Sequence, residues 1–203
     1  MSTVIDSKDA LRRVYKPPNP RSVAKAIGRL DPHCRRFVAL SPLLVLATSG
    51  EIGGDVSPRG GPAGFVKVLD ERTLAIPDFP GNNRLDSLEN ILENGRVGLL
   101  FFVPGVDETL RVNGRATIDT DPELRAMGTV DGKLPIAVIR VAVEQAYLHC
   151  GKALMRSALW DATKHVDRAT LPSIGEMIKD QVNWDGKAET QAEMLVRYKE
   201  TLY

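Results

Sequence analysis

The stretch "PDFPGNNRLDSLENI", residues 77–91, sets a turn directly before an amphipathic helix. Pro80 and Gly81 mark the turn and Asn83 stands as N-cap with Asp86 three residues on, while Leu85, Leu88, Ile91 and Leu92 recur at helical spacing. Asn94 and Gly95 supply the stop. A helix start leaves backbone N–H groups unpaired, and here they come with two amide side chains and one guanidinium. The turn therefore reads in two ways: a plain cap with a solvated arginine, or a local oxyanion site suited to a phosphate.

Outward from this helix the pattern becomes that of strands. "TLAIPD" (73–78) precedes it and is joined through the turn "DERT" to "AGFVKVLD" (63–70); "RVGLLFFV" (96–103) follows it. "LLVLATS" (43–49) reads as a buried strand, and "ETLRVNGRATID" (108–119), "PIAVIRVAVE" (135–144) and "QAYLHC" (145–150) come later. Six or seven strands with short turns predict a closed or nearly closed antiparallel barrel, because closure removes exposed edges. The order is strand, strand, strand, helix, then more strands.

The ends of the chain read as helical. Asn19 with Pro20 opens one short helix that Gly28 stops, and Asp31 with Pro32 opens a second. "LPSIGEMIKDQV" (171–182) and "AETQAEMLVRYKETL" (188–202) place Ile174, Met177, Ile178, Met194 and Leu195 at helical spacing, a tail to pack on the barrel or on a partner subunit. We read residues 1–203 as one domain: a helical extension (1–42), a barrel core (43–150) and a helical C-terminal region (151–203).

Composition narrows the functional classes. With 203 residues and 43% hydrophobic content the chain can bury one good core. The net charge of +1 supplies no long-range field for nucleic acid or an anionic membrane, so any anion site must be local. Cys34 and Cys150 lack metal-ligand spacing and read as reduced thiols. His33-Cys34 and His149-Cys150 are adjacent pairs, but neighbours on a strand face opposite ways and nothing supplies further ligands, so no metal site is expected. There is no apolar signal core at the N-terminus and no apolar run of the roughly 18 residues a membrane span needs, which predicts a cytoplasmic protein.

Residues 54–118, from "GDVSPRGGPAGFVKVLD" through the Asn-Asn-Arg turn to "RVGLLFF" and "RVNGRATI", resemble the pyridoxamine 5'-phosphate oxidase-like flavoproteins, the FMN-binding split-barrel superfamily. "SPRGGPAGFV" and "HCGKALMRSALW" are similar to its oxidase-related branch. The resemblance implies a mainly β fold with peripheral helices, an FMN-binding split β-barrel of six or more antiparallel strands. It also implies FMN as cofactor, with Asn82, Asn83 and Arg84 as side-chain donors to its phosphate and Lys67 reaching in from the preceding strand. A dianionic phosphate needs several charge-assisted donors, and Arg84 offers a bidentate fork. Arg59 and the backbone of Phe65 and Val66 correspond to the strand beside the isoalloxazine ring. Family members are usually homodimers with FMN at the subunit interface, which implies ligands from a second chain.

Three further groups are candidates on residue type and spacing. Arg111 and Asn113 lie two apart on one strand face, continued by Arg115, as a ligand-facing pair or an exposed polar face. Lys152, Arg156 and Trp160 recur every four residues; on a helix they would face an anionic planar cofactor or substrate, or else be a surface helix with Trp160 in the core. Tyr147 and His149 are the acid–base candidates by side-chain type, and no catalytic residue is assigned. The expected function is an FMN-dependent oxidoreductase acting on a small molecule, the alternatives being a flavin carrier or redox sensor, or a deazaflavin- or haem-binding relative. True pyridoxamine phosphate oxidases resemble one another in an arginine-bearing C-terminal strand, whereas this chain ends in the helical "AEMLVRYKETLY", so the vitamin substrate is not expected.

Overall fold

A computed structural model describes residues 4–51 and 53–203. Seven strands form one sheet: β1 (Leu43–Gly50), β2 (Gly53–Gly60), β3 (Lys67–Asp70), β4 (Thr73–Asp78), β5 (Arg96–Phe102), β6 (Thr109–Asp119) and β7 (Ala137–His149). They lie in the order β2-β1-β5-β6-β7-β4-β3, every neighbouring pair antiparallel. The sheet curls around its apolar face but does not close. Edge strands β2 and β3 bound the split, and the expected barrel is thus a split one.

Helix α1 (Lys8–Val14), capped by Ser7, and the five-residue α2 (Pro20–Ala24), capped by Asn19, lie outside the core, neither with a buried residue. Helix α3 (Pro32–Leu40) starts as Asp31-Pro32 predicts, with the Asp31 carboxylate accepting from the Cys34 amide at 2.8 Å, and it buries Cys34 and Val38 against the sheet. Helix α4 (Asp86–Asn94) lies chiefly on β1 and buries Ile91, while Leu92, assigned to its apolar face, is 75% exposed. The core between them is Leu44, Leu46, Leu99, Phe101, Leu110, Val112, Ile139 and Val141, all nearly inaccessible.

Several expectations change. Helix α2 stops at Ala24 instead of running to Gly28. "PIAVIRVAVE" and "QAYLHC" are one strand, β7, whose ladder to β6 continues past a bulge at Asn113/Gly114; the polar Glu144-Gln145 pair is that bulge, not a break. A side chain at Gly114 would run into the Ala142 carbonyl oxygen, which is why glycine stands there. "GGDVSPRG", absent from the strands read by periodicity although the resemblance put Arg59 on a strand, is the fully paired edge strand β2, where Pro58 is tolerated. Phe65 and Val66 are buried, but they lie in the turn before β3 and not within a strand.

Four more helices complete the chain: α5 (Pro122–Met127), unread in the sequence although Asp121-Pro122 repeats the cap signal, α6 (Lys152–Ser157), α7 (Ile174–Gln181) and α8 (Gln191–Glu200). Helices α7 and α8 pack on each other, each opened by a complete capping box. Tyr203 then meets Phe79 edge-on, with ring centroids 4.9 Å apart.

Candidate functional site

Strand β2 turns Asp55, Ser57 and Arg59 inward at two-residue spacing, while Val56 and Pro58 face out. Opposite them stand Asp78 at the end of β4, the turn from Phe79 to Leu85, and the first turn of α4. With Ile118, Ile136 and Ala137 these residues enclose a cavity of about 610 Å3, within the range of small-molecule sites.

The polar walls are ordered by hydrogen bonds. Arg59 Nη1 donates to Asp78 Oδ1 at 2.6 Å, tying edge strand β2 to β4 across the split. Asp78 is 8% exposed. Burial pushes its carboxyl above the usual range, and the Arg59 charge opposes that rise without cancelling it. Arg59 Nε is buried and has no acceptor. Ser87 Oγ donates to Asp55 Oδ2 at 2.5 Å, and Ser57 and Ser87 hydroxyls meet at 3.0 Å. A hydroxyl has one proton, so with Ser87 donating to Asp55, Ser57 is the donor in that second contact.

The turn is built differently from a capped helix start. Asn83 is not the N-cap. That position belongs to Leu85, which offers no side-chain cap, and both residues are left-handed, with φ of 58° and 62°. Asn82 Oδ1 accepts from the Arg84 amide at 3.1 Å, an Asx turn. Among the described residues the amides of Gly81, Asn82 and Asn83 meet no acceptor. Arg84, 74% exposed, bonds Asp86 at 2.8 Å. The three carboxylates of the cavity are each partnered, by Ser87, Arg59 and Arg84. The donors left for a ligand are therefore turn amides, the Asn82 and Asn83 side chains, and the Arg84 and Arg59 forks.

Other sequence candidates fall elsewhere. Lys67 donates to the Gly64 carbonyl at 3.0 Å and lines a separate cavity of about 240 Å3 with Phe65 and residues 128–131, so this chain does not bring it to the turn. Arg111, Asn113 and Arg115 share the outer face of β6, bonded to the Tyr147 hydroxyl, Gln145 and the Asn94 carbonyl. Lys152 and Arg156 are exposed on α6, but that helix ends at the left-handed Ala158, and Trp160 leaves its face to bond the Val106 carbonyl at 3.0 Å. The Cys34 thiol is pushed up to about 12, first by burial and then by Asp31, which makes it inert. Among the described residues no three His, Cys, Asp or Glu side chains converge as metal ligands.

Sequence reading missed Asp55, Ser57, Asp78 and Ser87. The alternating polar row Asp55-Ser57-Arg59 carried the signal, but its strand went unassigned; Ser87 and Asp78 gave none, since nothing local distinguishes a buried serine or aspartate.

The profile of the pyridoxamine 5'-phosphate oxidase family matches residues 30–150, well over half of the chain and the whole seven-stranded sheet. The chain belongs to that family. A curated relative, anthranilate synthase component 1 of Haloferax volcanii, is 38% identical over 98 residues, 45% of this chain and 18% of that protein, so the chain spans less than a fifth of it. Solved structures similar to this one include HupZ of Group A Streptococcus (18% identity, TM-score 0.48, 58% of this chain and 92% of that one) and General Stress Protein 26 of Bacillus anthracis (15%, 0.43, 57% and 93%). A third is an FMN-binding protein of Syntrophomonas wolfei (12%, 0.45, 57% and 83%). No helix among the described residues is long and apolar enough to cross a membrane.

The donors of the turn fit a phosphate monoester: among the described residues the successive amides of Gly81, Asn82 and Asn83 are without acceptors, and two side-chain amides and a guanidinium stand beside them.

Proposed function

We propose that the protein is an FMN-dependent oxidoreductase that works as a homodimer, with FMN at the subunit interface and a small molecule as substrate. The observation that carries this reading is the cavity whose rim bears the unpaired amides of Gly81, Asn82 and Asn83. Asn82, Asn83 and Arg84 hold the phosphate. Arg59, fixed by Asp78, keeps a buried Nε–H for an acceptor on the ring system, whereas Phe65 and Lys67 line the separate cavity beside residues 128–131 and do not border the ring within one chain. FMN supplies the two-electron chemistry; the protein supplies position, a fixed field and exclusion of water. Asn113, Lys152 and Arg156 line no part of their own chain's main cavity, so in this reading they reach the flavin from the second copy, while Arg111 is tied to Tyr147 within its own chain. Reduced thiols suit a cytoplasmic setting.

The test is a visible spectrum of the desalted protein, with released pigment identified, beside Arg84→Ala. Flavin bands with FMN released, and weaker retention in the variant by about tenfold as for loss of a charge-assisted contact, are expected. A colourless protein that takes up no added FMN overturns the reading and leaves the turn a structural entry into α4. Steady reduction by NADH or NADPH with reoxidation by an acceptor separates an enzyme from a flavin carrier or sensor.

A further inference from the structure

On the outer face of β6 and β7, away from the main cavity, three distant segments bring cations together around one ring. Lys25, at the end of α2, lies with Nζ 5.4 Å from the Tyr147 ring centroid, and Arg111 of β6 lies with Cζ 5.6 Å from it. Both are held in place. Lys25 Nζ donates to the Leu148 carbonyl at 2.7 Å, and Arg111 Nη1 donates to the Tyr147 hydroxyl at 2.9 Å. A two-bond bridge between Ile27 and Ala146, 3.1 and 2.7 Å, pins the segment carrying Lys25 to β7.

Two cations confined around a single aromatic ring repel each other, and the ring compensates them in part. Among the described residues Arg59, Arg72, Arg84, Lys187 and Arg197 meet a carboxylate, and neither Lys25 nor Arg111 does. Because the Tyr147 oxygen accepts from Arg111, its own proton remains to be donated. The rest of the Arg111 fork and two Lys25 protons remain as well. His149, two residues along the same strand face, feels this field: its imidazole is held below the ordinary histidine range by burial first, then by Arg111 and Lys25, and no acidic group offsets them. Its Nδ1 is buried without a partner.

We propose that Lys25, Arg111 and Tyr147 form a binding site for a small oxyanion, a carboxylate or a phosphate monoester. Fixed donors with unneutralised charge recognise anionic oxygens, and with both cations drawn to the Tyr147 ring the ligand is selected by charge and hydrogen bonding and not by stacking. The turn at 81–84 enters none of these observations, so the inference stands whether or not FMN binds there.

The test uses the full chain, with sodium benzoate and inorganic phosphate added separately at ionic strength held constant with sodium chloride. The reporter is the His149 ring resonance, one of three histidines, assigned by its loss in His149→Gln. A saturable shift at millimolar probe is expected, with the His149 titration midpoint moving up toward the ordinary range, since a bound anion favours the imidazolium. Affinity falls about tenfold or more in Arg111→Gln and in Lys25→Gln, each removing a charge-assisted donor, and is unchanged in Lys199→Gln. Whichever probe saturates at lower concentration assigns the ligand as carboxylate or phosphate. A shift that rises linearly for both probes and persists in Arg111→Gln means general screening and overturns the site. So does a shift that appears on raising protein concentration alone, which assigns the cluster to an acidic segment of a second copy. Should Arg111→Gln fail to fold, Lys25→Gln carries the same test from a side chain exposed on another segment.

Discussion

At the scale of single residues, the Arg59–Asp78 pair controls the cavity wall. A buried carboxylate is stable only while its partner stays, and Arg59 has no other carboxylate within reach among the described residues. Asp78→Ala should destabilise the protein by about 3 kcal/mol, the low end for breaking a buried pair because Arg59 keeps a quarter of its side chain in water. Urea unfolding at neutral pH measures it. The pH dependence has a defined sign. The folded-state pKa of Asp78 is raised, so the native state binds its proton more readily than the unfolded chain. Relative to Asp78→Asn, the parent should lose stability as pH climbs from the ordinary value of 3.8 to the raised one, and change no further above it. The opposite slope, or none, would show that Arg59 dominates desolvation at this site.

Among the elements, α3 tests how far a local signal supports the barrel. Asp31-Pro32 is a strong start because the carboxylate accepts from the Cys34 amide and the proline needs no donor. Asp31→Ala should cost about 1 kcal/mol, read as a lower unfolding midpoint. The Cys34 amide is also what holds the Asp31 carboxyl below its usual range. That contribution is complete above pH 3.8 and fades as pH falls through the lowered value, so parent and variant should converge in acid. Element boundaries show why other local readings failed. Asn83 has the chemistry of an N-cap, but it and Leu85 are left-handed within the turn, and the helix starts only at Asp86. Trp160 has helical spacing, yet the helix ends before reaching it.

In the whole molecule, the sheet and the C-terminal helices differ in how they are held. The strands are joined by a continuous ladder over an apolar core, whereas α7 and α8 lean mainly on each other and leave Val182, Trp184, Leu195 and Val196 exposed. Amides of α7 and α8 should exchange with solvent faster than those of β5, β6 and β7, measured by hydrogen exchange with mass detection. Equal protection would mean that the tail unfolds together with the barrel. The same exposed side chains are apolar surface that a second copy would cover in the proposed homodimer.

By itself the sequence determined the parts whose cause is local: the strands with apolar periodicity, the caps at Asn19 and Asp31, the stop at Gly95, and the turn with its amides and arginine. Periodicity and capping act within a few residues, so they can be read in one dimension. Only the tertiary structure decided that β2, despite its glycines and proline, pairs fully along β1. It alone brought Asp55, Ser57, Asp78 and Ser87 to one cavity and set Lys25 beside Arg111 and Tyr147. Those outcomes rest on contacts between residues far apart in the chain. Burial makes a buried aspartate chemically different from the same residue in solution.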